Sequence, residues 1–329
     1  MTAPFVPIRK LKLITTGEHA SKRLDHALAD WLPEALRRPV SKAKTRKLVV
    51  AGAVYVNGKQ VRIPAKTLVA GATIDAYVDP EKLFEDSTSQ DKRFELTRDR
   101  ILFEDEDLFV IDKPSGLPAQ PTLDKARDNL FAAVNRFLTS REGRAKPYVG
   151  VHHRLDRDTS GVVLFTKSER VNAAIAETFS TRQAVKIYQA ITVPHRGRLE
   201  KQWVITNRLG KISSKSKRAR YGAVKDGDAA ETSFRVIAEY PRGIWLEAIP
   251  RTGRTHQIRV HLAEYGLPIL GDDLYGAANR GELAPRLMLH AAELIFPHPI
   301  TGLKVSVKSP LPRDFEECLS KIRCLKNPV

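Results

Sequence analysis

Residues 153–161 read HRLDRDTSG, and the apolar run Val162-Val163-Leu164-Phe165 follows them directly. Within this stretch Asp156 stands between two arginines, Arg154 and Arg157, ahead of a Thr-Ser-Gly turn. Flanking guanidinium groups hold a carboxylate ionised, and they also bind phosphate. The stretch therefore predicts a reactive carboxylate next to a polyanion, and few functions need that combination.

The composition indicates a folded protein that binds polyanions. The chain has 329 residues, of which 42% are hydrophobic, and its net charge is +17. Such a hydrophobic fraction supplies a substantial core, and such a charge excess predicts salt-sensitive binding to polyanions. No run of about 18 apolar residues is present, so no transmembrane helix is expected. Residues 1–12 are basic but lack the apolar segment of a secretory signal.

The cysteines and histidines argue against a metal centre. Cys318 and Cys324 are too few for a zinc site or a disulfide framework, and they fit a reducing cytoplasm, where we expect the protein to work. His256 and His261 lie five residues apart on a predicted helix, a spacing that does not suit metal ligation. We therefore expect no metal and no nucleotide or redox cofactor.

The N-terminal quarter divides into a leader and a small basic unit. Residues 1–20 are predicted to be a basic leader, and residues 21–80 a small folded unit. Together, residues 1–80 contain 14 Lys+Arg and 6 Asp+Glu, a net charge of about +8. A helical pattern starts at Arg23, a second covers 44–50, and the Asn-Gly pair within 53–59 predicts a hairpin turn. Further strands are predicted over 61–63 and 73–78.

The remainder of the chain predicts one α+β domain. Residues 81–94 are polar and aperiodic, and we interpret them as a linker to a domain over 95–329. Strand and helix patterns mix there without βαβ periodicity and without a G-x-G-x-x-G motif, which excludes a Rossmann fold. We expect a mixed, largely antiparallel sheet flanked by helices. Two short strands around an acidic turn are predicted within 101–114, and further strands over 188–193, 231–237 and 244–249; the predicted helices are 129–138 and 170–179.

The small unit resembles an S4 RNA-binding domain over about 60 residues. The resemblance rests on the segment 22–25, on the basic second helix and on the segment 52–58, which reads GAVYVNG. It departs from the family where the second helix opens with Ser-Lys instead of Ser-Arg, and where 33–39 predicts a longer first loop. A row of cations on that helix suits a phosphate backbone. The resemblance implies RNA contacts from Arg23, Lys42, Lys44, Arg46 and Lys47.

The larger unit resembles the RluA-type family of pseudouridine synthases over roughly 230 residues. Besides 153–161, three further motifs occur in the family's order: DKPSGL at 112–117, KIYQA at 186–190, and PRTGRTHQIRVHL at 250–262 followed by GLPILGD at 266–272. Members of this family convert uridine in RNA to its C-glycoside. The resemblance therefore implies an enzyme without cofactors.

The resemblance also implies roles for individual residues. Asp156 matches the catalytic carboxylate, which acts on the ribose by attack at C1′ or by taking a ribose proton to give a glycal. Asp158 is its rival, with a turn or capping role as the alternative. Arg259 matches the basic residue that pairs with the carboxylate and aims it. Tyr188 matches the tyrosine that stacks on the target base and assists proton removal from C5.

Two further basic features have more than one candidate role in RNA binding. Arg154 precedes the catalytic position and is suited to fill the place of a uridine flipped out of its stack. Phosphate contact and plain support of Asp156 are the competing roles. The Ser-rich basic stretch 211–220 is predicted to contact phosphates, with a solvated loop as the alternative.

The sequence thus predicts an RNA pseudouridine synthase acting as a monomer, most simply on large-subunit ribosomal RNA. A tRNA pseudouridine synthase shares the same motifs and stays open. So do a non-catalytic RNA-binding ribosome-assembly factor and an RNA glycosylase or nucleoside hydrolase. Free uracil as product would identify the last class, and the joint presence of Asp156, Tyr188 and Arg259 argues against a purely binding protein.

Overall fold

The computed structural model describes residues 9–79, 83, 93–121, 128–143, 146–195, 197–212, 219–276 and 283–324. The chain divides into two compact units, Met1–Lys92 and Arg93–Val329. The predicted linker over 81–94 lies outside the described residues except for Leu83, Arg93 and Phe94.

The small unit packs two helices on a four-stranded sheet. Its helices are α1 (Leu24–Leu36) and α2 (Lys42–Ala51), and its strands are β1 (Arg9–Ile14), β2 (Val54–Val56), β3 (Lys59–Val61) and β4 (Thr73–Val78). The sheet order is β1-β4-β2-β3, with every pair antiparallel. Leu24, Leu28 and Leu32 recur at helical spacing and are fully buried, so this apolar face fixes α1 on the sheet.

Two features of the small unit differ from the sequence-based expectation. The predicted leader contributes a strand, because β1 pairs with β4 and places Leu11 and Leu13 against the core. The first helix also continues through Pro33 to Leu36, which shortens the predicted loop over 33–39. The apolar spacing of the helix extends to Leu36, which packs against the same core, and this outweighs the missing N–H of one proline.

The large unit is built on an eleven-stranded mixed sheet. Its strands are β5 (Ile101–Glu104), β6 (Leu108–Lys113), β7 (Gly150–Val151), β8 (Ser160–Thr166), β9 (Val185–Thr192), β10 (Gln202–Ile212), β11 (Arg220–Ala223), β12 (Asp228–Tyr240), β13 (Gly243–Pro250), β14 (Leu289–Pro297) and β15 (Lys304–Lys308). The main path runs β11-β10-β12-β13-β9-β14-β8-β6-β5, with β15 beside β14 and β7 beside β8. The helices are α3 (Leu130–Glu142), α4 (Asn172–Ser180), α5 (Gln257–Glu264) and α6 (Arg313–Arg323). Between β14 and β8 the strands run parallel, and the other pairs are antiparallel, which confirms the predicted α+β class.

The centre of this sheet is where the chain brings its motifs together. The loop over 152–159 connects β7 to β8, and β8 lies beside β14 so closely that a Cβ on Gly161 would meet the carbonyl of Ala291. Gly161 also has φ +112°, a conformation that side chains disfavour, so glycine is required at the entry to β8. On the other side of β14 lies β9, in which Tyr188 pairs with the small residues Ala248 and Ala291. Across the described residues, none of the helices is both long and apolar enough to span a membrane.

Candidate active site

Asp156 lies in the loop between β7 and β8 at the wall of a cavity of about 480 Å³. Its carbonyl accepts a hydrogen bond from the amide of Thr159 at 3.2 Å, which closes the turn predicted from the sequence. The side chain is 22% exposed, so the carboxylate is accessible from the cavity. The volume falls in the range of roughly 300–1,000 Å³ that is typical of ligand sites. The cavity is lined by residues of β9, β14, the loop before β8, the end of α4 and the segment 250–259.

The loop that carries Asp156 is anchored by a buried lysine at the end of β6. Lys113 is fully buried, and its Nζ donates to the carbonyls of Pro114, Leu117 and Arg157 at 2.9, 2.8 and 2.9 Å. Burial lowers the pKa of Lys113 to about 7, although the negative charges of Asp158 and Asp156 act to raise it. Three carbonyl acceptors match the three N–H bonds of an ammonium group. This clamp explains the 112–117 motif, in which sequence reasoning had assigned Lys113 no role.

Further hydrogen bonds join the same two loops. Ser115 Oγ donates to the carbonyl of Asp158 at 2.7 Å, and the amide of Gly116 donates to the carbonyl of Arg157 at 2.9 Å. Arg157 turns its guanidinium to Asp158, with Nε and Nη2 at 2.8 and 2.9 Å from the two carboxylate oxygens. Asp158, the rival carboxylate, is therefore engaged within the turn.

The cation that contacts Asp156 comes from a distant motif. Arg259 Nη1 in α5 lies 3.2 Å from Asp156 Oδ2. The flanking arginines were expected to hold this carboxylate, but Arg154 donates to Thr255 Oγ1 at 2.6 Å and Arg157 pairs with Asp158. The short side chain of Asp156 faces the cavity, and α5 supplies its partner across that space.

Arg259 is itself fixed by a second carboxylate. Its Nε and Nη2 donate to the two oxygens of Asp272 at 2.8 and 2.7 Å, which leaves Nη1 directed at Asp156. Asp272 is 1% exposed and Arg259 6%. Burial by itself raises the pKa of Asp272, but the guanidinium outweighs burial and holds that pKa below its usual range. Asp272 is the last residue of the motif at 266–272, but the sequence pattern alone predicted no role for it.

A histidine and a tyrosine complete a ring of contacts around Asp156. His256 Nδ1 lies 2.9 Å from Tyr275 Oη, and His256 Nε2 lies 3.9 Å from Asp156 Oδ2. The amide of Tyr275 donates to Asp272 Oδ1 at 3.1 Å, and the ring of Tyr275 packs under the guanidinium of Arg259 at 5.2 Å. Asp156, Arg259, Asp272, Tyr275 and His256 thus form a closed circuit, which we call the carboxylate ring. Burial lowers the pKa of His256, so its imidazole is neutral at pH 7.

Tyr188 lies on β9 and lines the same cavity. The residue is 8% exposed, and burial together with the charge of Asp156 raises the pKa of its phenol. The hydroxyl therefore stays protonated at neutral pH. Its ring presents an aromatic surface in the cavity that holds Asp156, so the structure brings the three predicted catalytic residues Asp156, Tyr188 and Arg259 into one site.

The remaining histidines of the motifs pack among protein groups. His153 Nε2 accepts from the amide of Leu164 at 2.9 Å, and its ring stacks on Phe179 with 4.8 Å between centroids. Desolvation lowers the pKa of His153 to about 3, which keeps it neutral. His261 is fully buried and bonds to Thr232 and Asn207. Within the described ranges, no group of three or more His, Cys, Asp or Glu side chains is arranged to hold a metal ion.

The predicted RNA contacts of the small unit lie mostly on one helix. Lys42, Arg46 and Lys47 on α2 are exposed and Lys44 is half-buried, while Thr45 and Val49 of the same helix are buried. Arg23 precedes α1 and pairs with Asp25, with Nε and Nη2 at 3.0 and 2.8 Å from the carboxylate. Most of the predicted phosphate-binding stretch 211–220 lies outside the described residues.

Comparison with known proteins identifies two matching families. Residues 107–264 match the model of RNA pseudouridylate synthases, and residues 28–74 match the S4 domain. The first range contains Asp156, Tyr188, His256 and Arg259, and it ends before Asp272 and Tyr275. The two matched ranges fall in different units of the structure.

Whole-length relatives and a solved structure show the same likeness. A protein named ribosomal large subunit pseudouridine synthase D from Nitrosomonas europaea is 31% identical over 96% of this chain and 88% of its own. One from Xylella fastidiosa with the same name is 32% identical over 92% and 90%. An uncharacterized RNA pseudouridine synthase from Aquifex aeolicus is 33% identical over 87% and 89%. The structure of human RNA pseudouridylate synthase domain containing 4 covers 68% of this chain and 92% of its own, with TM-score 0.55 and 29% identity.

Proposed function

The chain belongs to the RNA pseudouridylate synthase family, and from this premise we propose that it isomerises uridines of large-subunit ribosomal RNA with Asp156 as the catalytic carboxylate. Membership confirms the predicted family, the S4 RNA-binding domain and the enzyme class. The proposal adds the RNA and the residues that act. Its main support is the carboxylate ring, which presents one accessible carboxylate, oriented by a buried guanidinium, to a cavity that also contains Tyr188.

The reaction requires a group that acts on the ribose. Conversion of uridine to pseudouridine breaks the N1–C1′ bond, turns the uracil and forms a C5–C1′ bond; C5 loses a proton and N1 gains one. Atoms and electrons balance without a co-reactant. An ionised Asp156 serves either by attack at C1′ or by removal of the C2′ proton. Arg259 donates a hydrogen bond to the carboxylate and limits it to one orientation.

Two further side chains have roles that follow from their positions. Tyr188 stacks on the uracil and keeps it in the cavity after the glycosidic bond breaks. Its protonated hydroxyl assists the final transfer of the C5 proton. Arg154 is exposed at the cavity wall and held by Thr255, where it can replace the flipped nucleotide in the RNA stack.

The choice of ribosomal RNA rests on the relatives and on charge. Two relatives that match this chain over most of their length are named ribosomal large subunit pseudouridine synthase D. The exposed cations of α2 suit a structured RNA whose phosphates lie beyond the target nucleotide. We place this activity in the cytoplasm and assign it to the monomer.

Tritium release from uracil C5 tests the proposal directly. Unmodified large-subunit ribosomal RNA labelled at C5 is incubated with wild type, with Asp156→Asn and with Asp158→Asn as the matched neighbouring carboxylate. We expect release with wild type and Asp158→Asn and none with Asp156→Asn, although all three bind the RNA. Release by Asp156→Asn would overturn the catalytic assignment.

The same assay distinguishes the alternative substrates and classes. Release from bulk tRNA and none from ribosomal RNA would overturn the substrate. Free uracil among the products would indicate a glycosylase. Tight RNA binding with no release from either RNA would favour an assembly factor.

A further inference from the structure

The gap between His256 and Asp156 is wide enough for one ligand atom that hydrogen-bonds to both side chains. His256 Nε2 and Asp156 Oδ2 are 3.9 Å apart, which is too long for a hydrogen bond between them. One oxygen atom placed to the side of that line can lie about 2.8 Å from both atoms. Asp156 is 22% exposed and both residues line the cavity, so a ligand can enter this position.

The contacts of Tyr275 decide which nitrogen of His256 carries the proton. Tyr275 Oη accepts a hydrogen bond from the amide of Tyr221 at 2.9 Å, so its own proton is available to His256 Nδ1 at 2.9 Å. If Nδ1 were protonated instead, the phenol would receive two donors and its proton would lack an acceptor among the described residues. We therefore assign the proton to Nε2, the nitrogen that faces Asp156.

The site therefore offers one donor and one acceptor. His256 Nε2–H donates, and the ionised Asp156 accepts, so the complementary ligand atom must accept from one and donate to the other. A hydroxyl group does both. Inside an RNA chain the 3′ and 5′ oxygens of a nucleotide are esterified, and the uracil carries acceptor oxygens and one N–H donor. The 2′-hydroxyl is the one hydroxyl that such a nucleotide presents.

We propose that the 2′-hydroxyl of the target uridine binds between His256 Nε2 and Asp156 Oδ2, a subsite that recognises ribose. The inference rests on the proposed function and adds a substrate contact to it. The 2′-oxygen is bonded to C2′ and lies two bonds from C1′, so this contact places both carbons within reach of Asp156. Tyr275 is held by Asp272 and Arg259, which keeps the donor in place before RNA binds.

The test combines one enzyme change with one substrate change. Once the modified uridine is mapped, an RNA oligonucleotide containing it is prepared with ribose or with 2′-deoxyribose at that single nucleotide. Single-turnover conversion of both is measured with wild type and with His256→Asn, since asparagine tolerates the left-handed conformation of this position (φ 59°). Intrinsic effects of 2′-deoxygenation are common to both enzymes and cancel in the comparison.

We expect the deoxy substitution to slow wild type by about 10- to 100-fold, because it leaves a donor of the site unsatisfied. In His256→Asn the same substitution should cost roughly threefold or less, since asparagine is shorter and places no donor at the position of Nε2. Tyr275→Phe frees the imidazole to change tautomer. In this variant the ratio of the rate on all-ribose RNA to the rate on 2′-deoxy RNA should lie between those of wild type and His256→Asn. His152→Asn, a change of histidine in the same cavity, should retain the wild-type ratio.

Equal ratios in wild type and His256→Asn would overturn the inference and leave the proposed function intact. Failure of wild type to convert the all-ribose RNA would instead overturn the proposed function, and this inference with it. RNA affinity and circular dichroism are recorded for each variant. If His256→Asn does not fold, Tyr275→Phe decides the matter, and a wild-type ratio in that variant counts against the subsite.

Discussion

The carboxylate ring of the large unit and the cationic face of α2 in the small unit use charge in opposite ways. In the ring, Arg259 and Asp272 are almost inaccessible to water and each finds its partner within 3 Å. On α2, Lys42, Arg46 and Lys47 point into solvent. Burial of paired charges gives orientation at a cost in desolvation, whereas exposed charges attract a polyanion over distance and are screened by salt.

The comparison separates two properties of one enzyme. The ring should control the rate of the chemical step and be insensitive to salt. The α2 cations should control RNA affinity and be strongly sensitive to salt. Each prediction below changes one side of this division.

Outside the proposed catalytic residues, the largest effect is expected from Asp272→Asn, which removes the carboxylate that holds Arg259. The variant leaves a buried guanidinium without its bidentate partner and frees it to turn from Asp156. We expect the single-turnover rate at saturating RNA to fall by about 10²–10³-fold, with RNA affinity close to wild type.

Asp273→Asn is the matched control, since Asp273 is the exposed neighbouring carboxylate. It should keep the rate within a few-fold of wild type. A rate loss in Asp273→Asn equal to that of Asp272→Asn would mean that the loop as a whole, and not the ring, is responsible.

The opposite change neutralises the exposed cations of α2 in the triple variant K42Q/R46Q/K47Q. If each cation contacts one phosphate, the slope of log affinity against log salt should fall by about 2–3, and affinity at low salt by roughly tenfold or more. The rate at saturating RNA should stay unchanged. Filter binding over a range of salt concentrations measures the slope.

A charge-matched control is K304Q/K308Q/K321Q, which removes three exposed lysines from the large unit. An equal loss of affinity in both triple variants would show that net charge matters more than the position of α2.

Arg154 resembles neither the buried, paired charges of the ring nor the exposed cations of α2, because it is exposed and yet hydrogen-bonded to Thr255. If it fills the place of the flipped uridine, Arg154→Ala should slow conversion by about tenfold when the target is stacked in a folded RNA. The loss should be smaller for the same sequence in an unstructured oligonucleotide. Equal losses on both RNAs would indicate support of Asp156 or phosphate contact instead.

Acid stability distinguishes the cores of the two units. Burial lowers the pKa of His261 to about 4. Below pH 6.5 the unfolded chain therefore binds a proton that the folded large unit does not, and stability is lost as the pH falls towards 4. Between pH 6.5 and 5 this contributes about 2 kcal/mol to the loss. In His261→Gln the free energy of unfolding of the large unit should therefore fall by about 2 kcal/mol less over this pH range.

Urea unfolding at several pH values measures this loss. Trp31→Phe leaves Trp203 and Trp245 as fluorescence reporters of the large unit. His26→Gln, a change of an exposed histidine in the small unit, serves as control and should leave the pH dependence unchanged.

Much of the fold was predictable because it depends on local patterns. The spacing of Leu24, Leu28 and Leu32 indicated α1, and the acidic turn between two apolar runs indicated β5 and β6. The strand in the predicted leader was missed because basic and apolar residues alternate over only four positions, Lys10 to Leu13. Its burial also depends on pairing with β4, some 60 residues later.

The candidate site was predictable as far as its motifs carried the chemistry. Asp156, Tyr188 and Arg259 each stand in a recognisable motif. Asp272 and Lys113 were quoted in motifs without a role, because no local pattern reveals that one fixes a guanidinium and the other binds three carbonyls. The role of Tyr275 in the carboxylate ring could not be predicted, because it depends on a contact that forms only when the loop after α5 packs on β11.

The lysine clamp that anchors the loop carrying Asp156 has a consequence for how such an enzyme can diversify. Lys113 binds main-chain carbonyls of Pro114, Leu117 and Arg157, and a carbonyl is present whatever side chain its residue carries. Replacement of the Arg157 side chain therefore leaves that carbonyl available to the ammonium group. Mutation can change the exposed side chains of this loop while Asp156 keeps its position, whereas Lys113 cannot be replaced without loss of all three hydrogen bonds.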